Sequence, residues 1–152
     1  MIGEMTEEQI ERLLSSQMIG RIGCCDNGRA YVVPVTYAYA GGFIYAHSSE
    51  GRKVELMRHN PNVCFEVENV TNMANWQSVI VEGAFEELVG DEASRAMELL
   101  MERFLPFMGT VSETLMPSHE AAPPVHGNKP GNHQAVVYRV RVSQKTGRFE
   151  TH

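Results

Sequence analysis

At 152 residues the chain is long enough to bury a core and short enough to do so as one domain. Its 43% hydrophobic and 21% charged residues argue against disorder, and a net charge of −6 with a pI near 5.5 argues against the basic stripe of a nucleic-acid surface. No apolar run approaches the roughly 20 residues that span a bilayer, and the acidic start at Glu4, Glu7 and Glu8 is unlike a basic signal leader, so a cytoplasmic protein without membrane or nucleic-acid partners is expected.

Thr6-Glu7-Glu8-Gln9 has the form of a capping box, and Ile10, Leu13 and Leu14 behind it share one face. Residues 6–16 therefore read as a short amphipathic helix. A first strand follows over 18–25 and turns at Asp26-Asn27-Gly28, because Asn-Gly is a strong hairpin signal. Its partner, 30–39, is rich in β-branched and aromatic residues. Pro34 removes a ladder donor inside that strand, which puts position 34 at an edge, at a bulge, or where the backbone faces a ligand. Gly41-Gly42 makes the next turn and 43–47 the third strand, leading into a helix that Asn60-Pro61-Asn62 breaks after His59. Residues 63–67 and 78–86 read as the fourth and fifth strands. The clearest helix is 91–104, with Ala93, Met97, Leu100, Met101 and Phe104 forming an apolar stripe for core or dimer packing. A sixth strand spans 135–143, with Val136, Tyr138, Val140 and Val142 on one side and Arg139 and Arg141 on the other.

Residues 106–134 hold five of the seven prolines together with His119, His126 and His133. So long a stretch without periodicity reads as a lid or as an arm across a partner. Metal binding by its histidines, which stand seven apart, is the weaker alternative, since no Cys stands at close spacing. The three cysteines offer no disulfide framework: Cys24 and Cys25 are neighbours on opposite strand faces, and one of them, together with Cys64, reads as a small core residue in a reducing compartment. No metal-ligand spacing is present, and no metal site is predicted. The whole pattern predicts a mainly β protein with flanking helices, its six antiparallel strands closed into a barrel or sandwich so that no edge is exposed.

The chemistry concentrates at His47-Ser48-Ser49-Glu50-Gly51-Arg52-Lys53. Two serines precede the helix and can cap it, but Arg52 and Lys53 put cations in a first turn that already carries partial positive charge, each disfavoured by roughly 0.3–1 kcal/mol. An anion reverses that sign, and a phosphate there would gather hydroxyl, amide, guanidinium and ammonium donors. The competing reading is a solvated helix face with Glu50 and Glu55 neutralising the cations locally. No glycine-rich phosphate loop accompanies the stretch.

With the strands in place, the sequence resembles the FMN-binding split β-barrel proteins of the pyridoxamine 5′-phosphate oxidase-like superfamily, nearest to the small nitroimidazole-resistance branch. The residues that carry the resemblance are Pro34-Val35-Thr36-Tyr37, Ile44-Tyr45-Ala46-His47 with Gly51-Arg52-Lys53, Asn60-Pro61-Asn62-Val63-Cys64-Phe65, and Ser78-Val79-Ile80-Val81-Glu82-Gly83. The resemblance implies that Arg52 and Lys53 hold the FMN phosphate with His47 and Ser48 alongside, that Val35 and Thr36 flank the flavin ring, and that Ser78 supplies a further contact. It also implies a homodimer with FMN between the subunits, and an oxidoreductase acting on a small molecule such as a nitro compound. His47 is the catalytic candidate; its alternative is a strand-end histidine bonded to the phosphate or to a carbonyl. Trp76 either borders the ring or only packs. Ala30 and Val35 stand where the oxidases of the superfamily carry basic residues, and their C-terminal Arg/His/Trp motif has no match, which argues against pyridoxamine phosphate oxidation itself. Two rival readings are a non-catalytic flavin- or haem-binding module, with a loop histidine as axial ligand, and an interaction protein that has lost its cofactor.

Overall fold

The computed structural model describes residues 1–108 and 135–152. Along the chain run β1 (Ile2–Glu4), α1 (Glu7–Ser16), β2 (Ile19–Asp26), β3 (Arg29–Thr36), β4 (Ala38–Ala40), β5 (Phe43–Ser48), α2 (Arg52–His59), β6 (Asn62–Asn72), β7 (Asn75–Leu88), α3 (Gly90–Met108) and β8 (Val136–Glu150). The local signals for turns and caps hold. Asn27 and Gly28 take φ of 51° and 76°, the left-handed pair that a two-residue hairpin requires, and Gly41-Gly42 repeats it. Thr6 and Gln9 complete the capping box of α1 in both directions.

The expectation of six closed strands is corrected on both counts. Among the described residues, eight antiparallel strands form one sheet in the order β3-β2-β6-β7-β8-β5-β4, with β1 added on β8, and no ladder closes it. β1 is three residues long, too short for any periodicity to mark. The segment 30–39 is two strands, because Tyr37 leaves the pleat. Its ring is fully buried, its hydroxyl donates to the Leu14 carbonyl (2.7 Å) and its N–H donates to the Met18 carbonyl (3.0 Å). The same segment thus forms one edge of the sheet as β3 and the other as β4.

Pro34 fits that edge. Since the Tyr37 N–H is bonded to Met18, the alternation of an antiparallel ladder makes the Thr36–Ile19 and Pro34–Arg21 pairs non-hydrogen-bonded. The donor that proline lacks would point to the open side. At the centre, β7 and β8 run paired from Trp76↔Glu150 to Leu88↔Val137, well past the ends read from the pattern. Their register shifts at Gly83, where a Cβ would come within 2.3 Å of the Arg141 carbonyl oxygen and so only glycine fits.

One face of the sheet, with Ile22, Phe65, Val79 and Val140, is covered by Leu13 and Leu14 of α1 and Met57 of α2. Tyr37 meets Phe65 edge to face at 4.9 Å. On the β5–β8 side, α3 lays Ala96, Leu100 and Phe104 against Ala38, Tyr45 and Val137. Met101, expected in that stripe, is 44% exposed. α3 continues through Pro106 to Met108; the rest of the expected lid, with His119, His126 and His133, lies outside the described residues. Cys24 is buried and Cys25 half-buried, but Cys64, read as a core residue, is exposed, because its strand position faces outward between buried Val63 and Phe65. Among the described residues, no helix is long and apolar enough to cross a membrane.

Candidate functional site

β5 sorts its side chains by parity. Ile44, Ala46 and Ser48 face the core, while Phe43, Tyr45 and His47 lie half-buried on the side that α3 covers. His47 stands opposite Val137 of β8. Ser48 is buried and donates its hydroxyl to the Ser49 carbonyl (3.0 Å). The expected serine cap is therefore corrected. The N-cap of α2 is Gly51, in extended backbone, and it makes no side-chain cap hydrogen bond. A Cβ at Gly51 would meet only the Ser49 carbonyl oxygen, at 4.0 Å, so the space beside the helix start is open.

Arg52 and Lys53 open the helix in different environments. Arg52 is exposed, its guanidinium carbon 5.4 Å from the centre of the Tyr31 ring. Lys53 lies on the inner face of α2 with Val54 and Met57 and is 8% exposed, a burial that lysine seldom reaches. Both cations act on Cys24 of β2: burial pushes its thiol pKa up, and the charges of Lys53 and then Arg52 pull against it.

Glu50 is not paired with Arg52. Arg58, in the last turn of α2, donates from both terminal nitrogens to the two Glu50 oxygens, each at 2.9 Å. Its Nε donates to Glu87 Oε1 of β7 (2.7 Å) and a terminal nitrogen to Oε2 (2.8 Å). Those bonds hold the Glu87 carboxyl below the usual range although burial works the other way. Among the described residues, Arg52 has no carboxylate within 4.0 Å.

The remaining predicted residues are placed apart. Val35 is 2% exposed and belongs to the core, so its side chain does not reach a ligand outside; Thr36 is half-buried on the opposite face, at the open edge. Ser78 is on β7, its hydroxyl donating to Glu66 Oε2 (2.9 Å), beside the Arg21–Glu66 and Arg21–Glu68 pairs. Nine residues separate Ser78 from Glu87 on one strand, roughly 30 Å of strand at 3.3 Å per residue. His47, Ser48, Arg52 and Lys53 are close along the chain but face apart. His47 and Ser48 point to opposite faces of β5, Lys53 lies on the inner face of α2 and Arg52 is exposed beside Tyr31, while Ser78 stands on β7, far along that strand from Glu87.

Three neighbours of the helix start were not marked beforehand. Tyr31 reads in sequence only as a strand aromatic, and Arg58 and Glu87 are 29 residues apart with no local pattern to join them. A cleft of about 470 Å³ lies between the β2–β3 and β6–β7 pairs, lined by Gly23, Cys25, Val32, Cys64, Glu82 and Ser143 among others. It contains none of the predicted residues, but Tyr31 touches it as well as Arg52.

An antiparallel sheet left open between two halves of one segment, with a basic helix start after β5, defines a split β-barrel protein. The family model for pyridoxamine 5′-phosphate oxidase matches residues 6–149, and the chain belongs to that family. Among solved structures it is similar to an FAD-binding protein (mll6688) from Mesorhizobium loti, with 26% identity, 99% of each chain covered and a TM-score of 0.76. It shares its fold with a proposed 5-nitroimidazole antibiotic resistance protein from Bacteroides thetaiotaomicron, at 22% identity, 98% and 87% coverage and a TM-score of 0.69. The uncharacterized protein RA0666 of Rhizobium meliloti (strain 1021) is 33% identical over 84 residues, 55% of this chain; the match spans 56% of that relative's length.

Proposed function

We propose that the chain binds FMN with its phosphate at the start of α2, and that it is a flavin-dependent oxidoreductase acting on a small molecule. The observation that carries the reading is the state of Arg52: a cation at an uncapped helix start, resting on Tyr31, with its nearest upstream carboxylate, Glu50, held by Arg58 instead. A phosphate supplies what that start lacks, an acceptor for first-turn amides and a counter-charge. Family membership and the likeness to a protein named as FAD-binding support a flavin as its carrier.

Arg52 would hold the phosphate in the open space at Gly51, with the charge of Lys53 behind it; Ser48, expected there too, turns inward and would steady the Ser49 carbonyl beside the site. A bound flavin supplies the redox chemistry, accepting electrons from one small molecule and passing them to another. His47 carries the imidazole of this stretch, a side chain suited to general acid–base work, and we assign it the catalytic role. The remoteness of Ser78 supports a site completed by a second copy of the chain, since one chain does not bring residues 52 and 78 together. The likeness to a nitroimidazole-resistance protein favours a nitro compound as the electron acceptor.

The first test is the visible spectrum of the purified protein and the mass of any released chromophore, which separates FMN from FAD. We expect flavin absorbance, the FMN mass, and a dimer by light scattering. A colourless preparation that neither flavin titrates ends this reading. A bound flavin that no reduced nicotinamide reduces and no nitro compound reoxidises leaves a binding module without turnover.

A further inference from the structure

Glu50 stands two residues before Arg52 and next to the N-cap of α2. A carboxylate at that place is drawn both to the helix start and to the cations on it. Left alone, it would compete for the position that a phosphate takes. The structure holds it away. Arg58, eight residues on from Glu50, sits in the last turn of the helix, where a cation is favoured, and takes both Glu50 oxygens in a two-pronged bond. Its other edge is fixed by Glu87, on the strand beside β8.

We propose that Arg58 is a positioning residue for the anion site: anchored on Glu87, it draws Glu50 off the start of α2 and keeps Arg52 open to an anionic ligand. This rests on the reading of that start as a phosphate site, and adds what regulates access to it. The side chains of Glu50 and Arg58 are 50% and 37% exposed, and a single pair so exposed would hold little. The second carboxylate changes that, because a planar guanidinium gripped along two edges has little freedom left to lose. Lysine in its place offers a point charge and no such fork.

The test uses the full chain. R58A, R58A/E50Q and E87Q are each titrated with FMN and, separately, with inorganic pyrophosphate. R58A should weaken both ligands roughly fivefold, the scale of one competing exposed pair. Adding E50Q should bring both affinities back to about the parent value, since the competing charge is then gone. E87Q should lower the melting temperature and weaken both ligands in the same direction as R58A, because without its anchor the exposed Arg58–Glu50 pair holds little. A double variant as weak as R58A, or an E87Q that binds both ligands as tightly as the parent, would mean that Arg58 does not steer Glu50 from an anchor on Glu87 and would overturn the proposal.

A second readout needs no ligand. In thermal melts of the apoprotein, E50Q and R52A should be additive in the parent and coupled in the R58A background, where Glu50 is free to pair with Arg52. Additivity in both backgrounds overturns the proposal whatever FMN does. Coupling in a protein whose parent binds neither FMN nor pyrophosphate would uphold the steering of Glu50 and sink the phosphate reading instead.

Discussion

The helices α1 and α2 begin in opposite ways. At α1 the chain supplies everything: the Thr6 hydroxyl accepts from the Gln9 amide, the Gln9 side chain accepts from the Thr6 amide, and Glu7 and Glu8 complement the dipole. At α2 no side chain caps the first turn, two cations stand where anions are favoured, and the one carboxylate next to the cap is led to the far end of the helix. Both helices cover the same core, so burial does not explain the difference. A helix start that stabilises itself is architecture; one left incomplete is available to a ligand.

The sharpest way to break this comparison is to remove the charges at α2. Replacing both Arg52 and Lys53 by Ala should weaken FMN at least ~100-fold, since charge-assisted contacts are each worth about 1.5–3 kcal/mol. Replacing exposed Arg95 and half-buried Arg103 of α3 should change FMN affinity less than about twofold. Equal losses in isothermal titration would mean that only net charge matters.

A smaller effect should follow from finishing α2 as α1 is finished. Gly51→Asp places a carboxylate at the cap, in backbone that any residue adopts and in open space. The apoprotein should melt slightly higher, by a few tenths of a kcal/mol. FMN affinity should fall about tenfold, or ~1.4 kcal/mol, because the new carboxylate occupies the anion's place. Stability and binding moving together in either direction would contradict the contrast.

What the sequence made legible follows the same division. The capping box and both glycine turns are local, and each was readable because its partners lie within four residues. The charge pattern at Arg52-Lys53 was local too. The serine cap was misread because Ser48 belongs to the pleat of β5: it shares parity with Ile44 and Ala46 and so faces the core. By the same parity, Val35 and Thr36 point to opposite faces, so no ring can rest on both side chains. Tyr37 was invisible as a break, since an aromatic continues a strand pattern as well as it ends one. The Arg58 link to Glu87 joins residues that only the folded sheet brings together.

The third effect is on α1 alone. Thr6→Ala should cost about 1 kcal/mol of stability, the usual worth of such a cap, and leave FMN affinity unchanged. A drop in affinity on the scale of the α2 variants would show that the two starts are not independent.

The smallest effect is in pH, and it also belongs to α1. Glu11 of α1 accepts from Tyr39 (2.9 Å) and pairs with Lys145 of β8, tying the helix to the sheet. Burial alone would raise the Glu11 pKa, but the hydrogen bonds from Lys145 and Tyr39 outweigh it and lower it from 4.5. A carboxyl lowered by folding contributes stability above its unfolded value, and that contribution is lost as pH falls through the lower, folded one. Lys145 is raised above 10.5, chiefly by its bond to Glu11, so its share is complete below that value and is lost as pH rises through the folded pKa. The network should therefore contribute evenly between about pH 5 and pH 10 and fade on both sides. Glu11 is 41% exposed, which limits the gain to a few tenths of a kcal/mol. In urea melts, Glu11→Gln should lie below the parent across that plateau and converge with it as the solution is made acidic. A constant gap down to pH 3 would place the effect in packing. FMN affinity at neutral pH should not distinguish the two proteins, because this charge network holds a helix whose start is already complete.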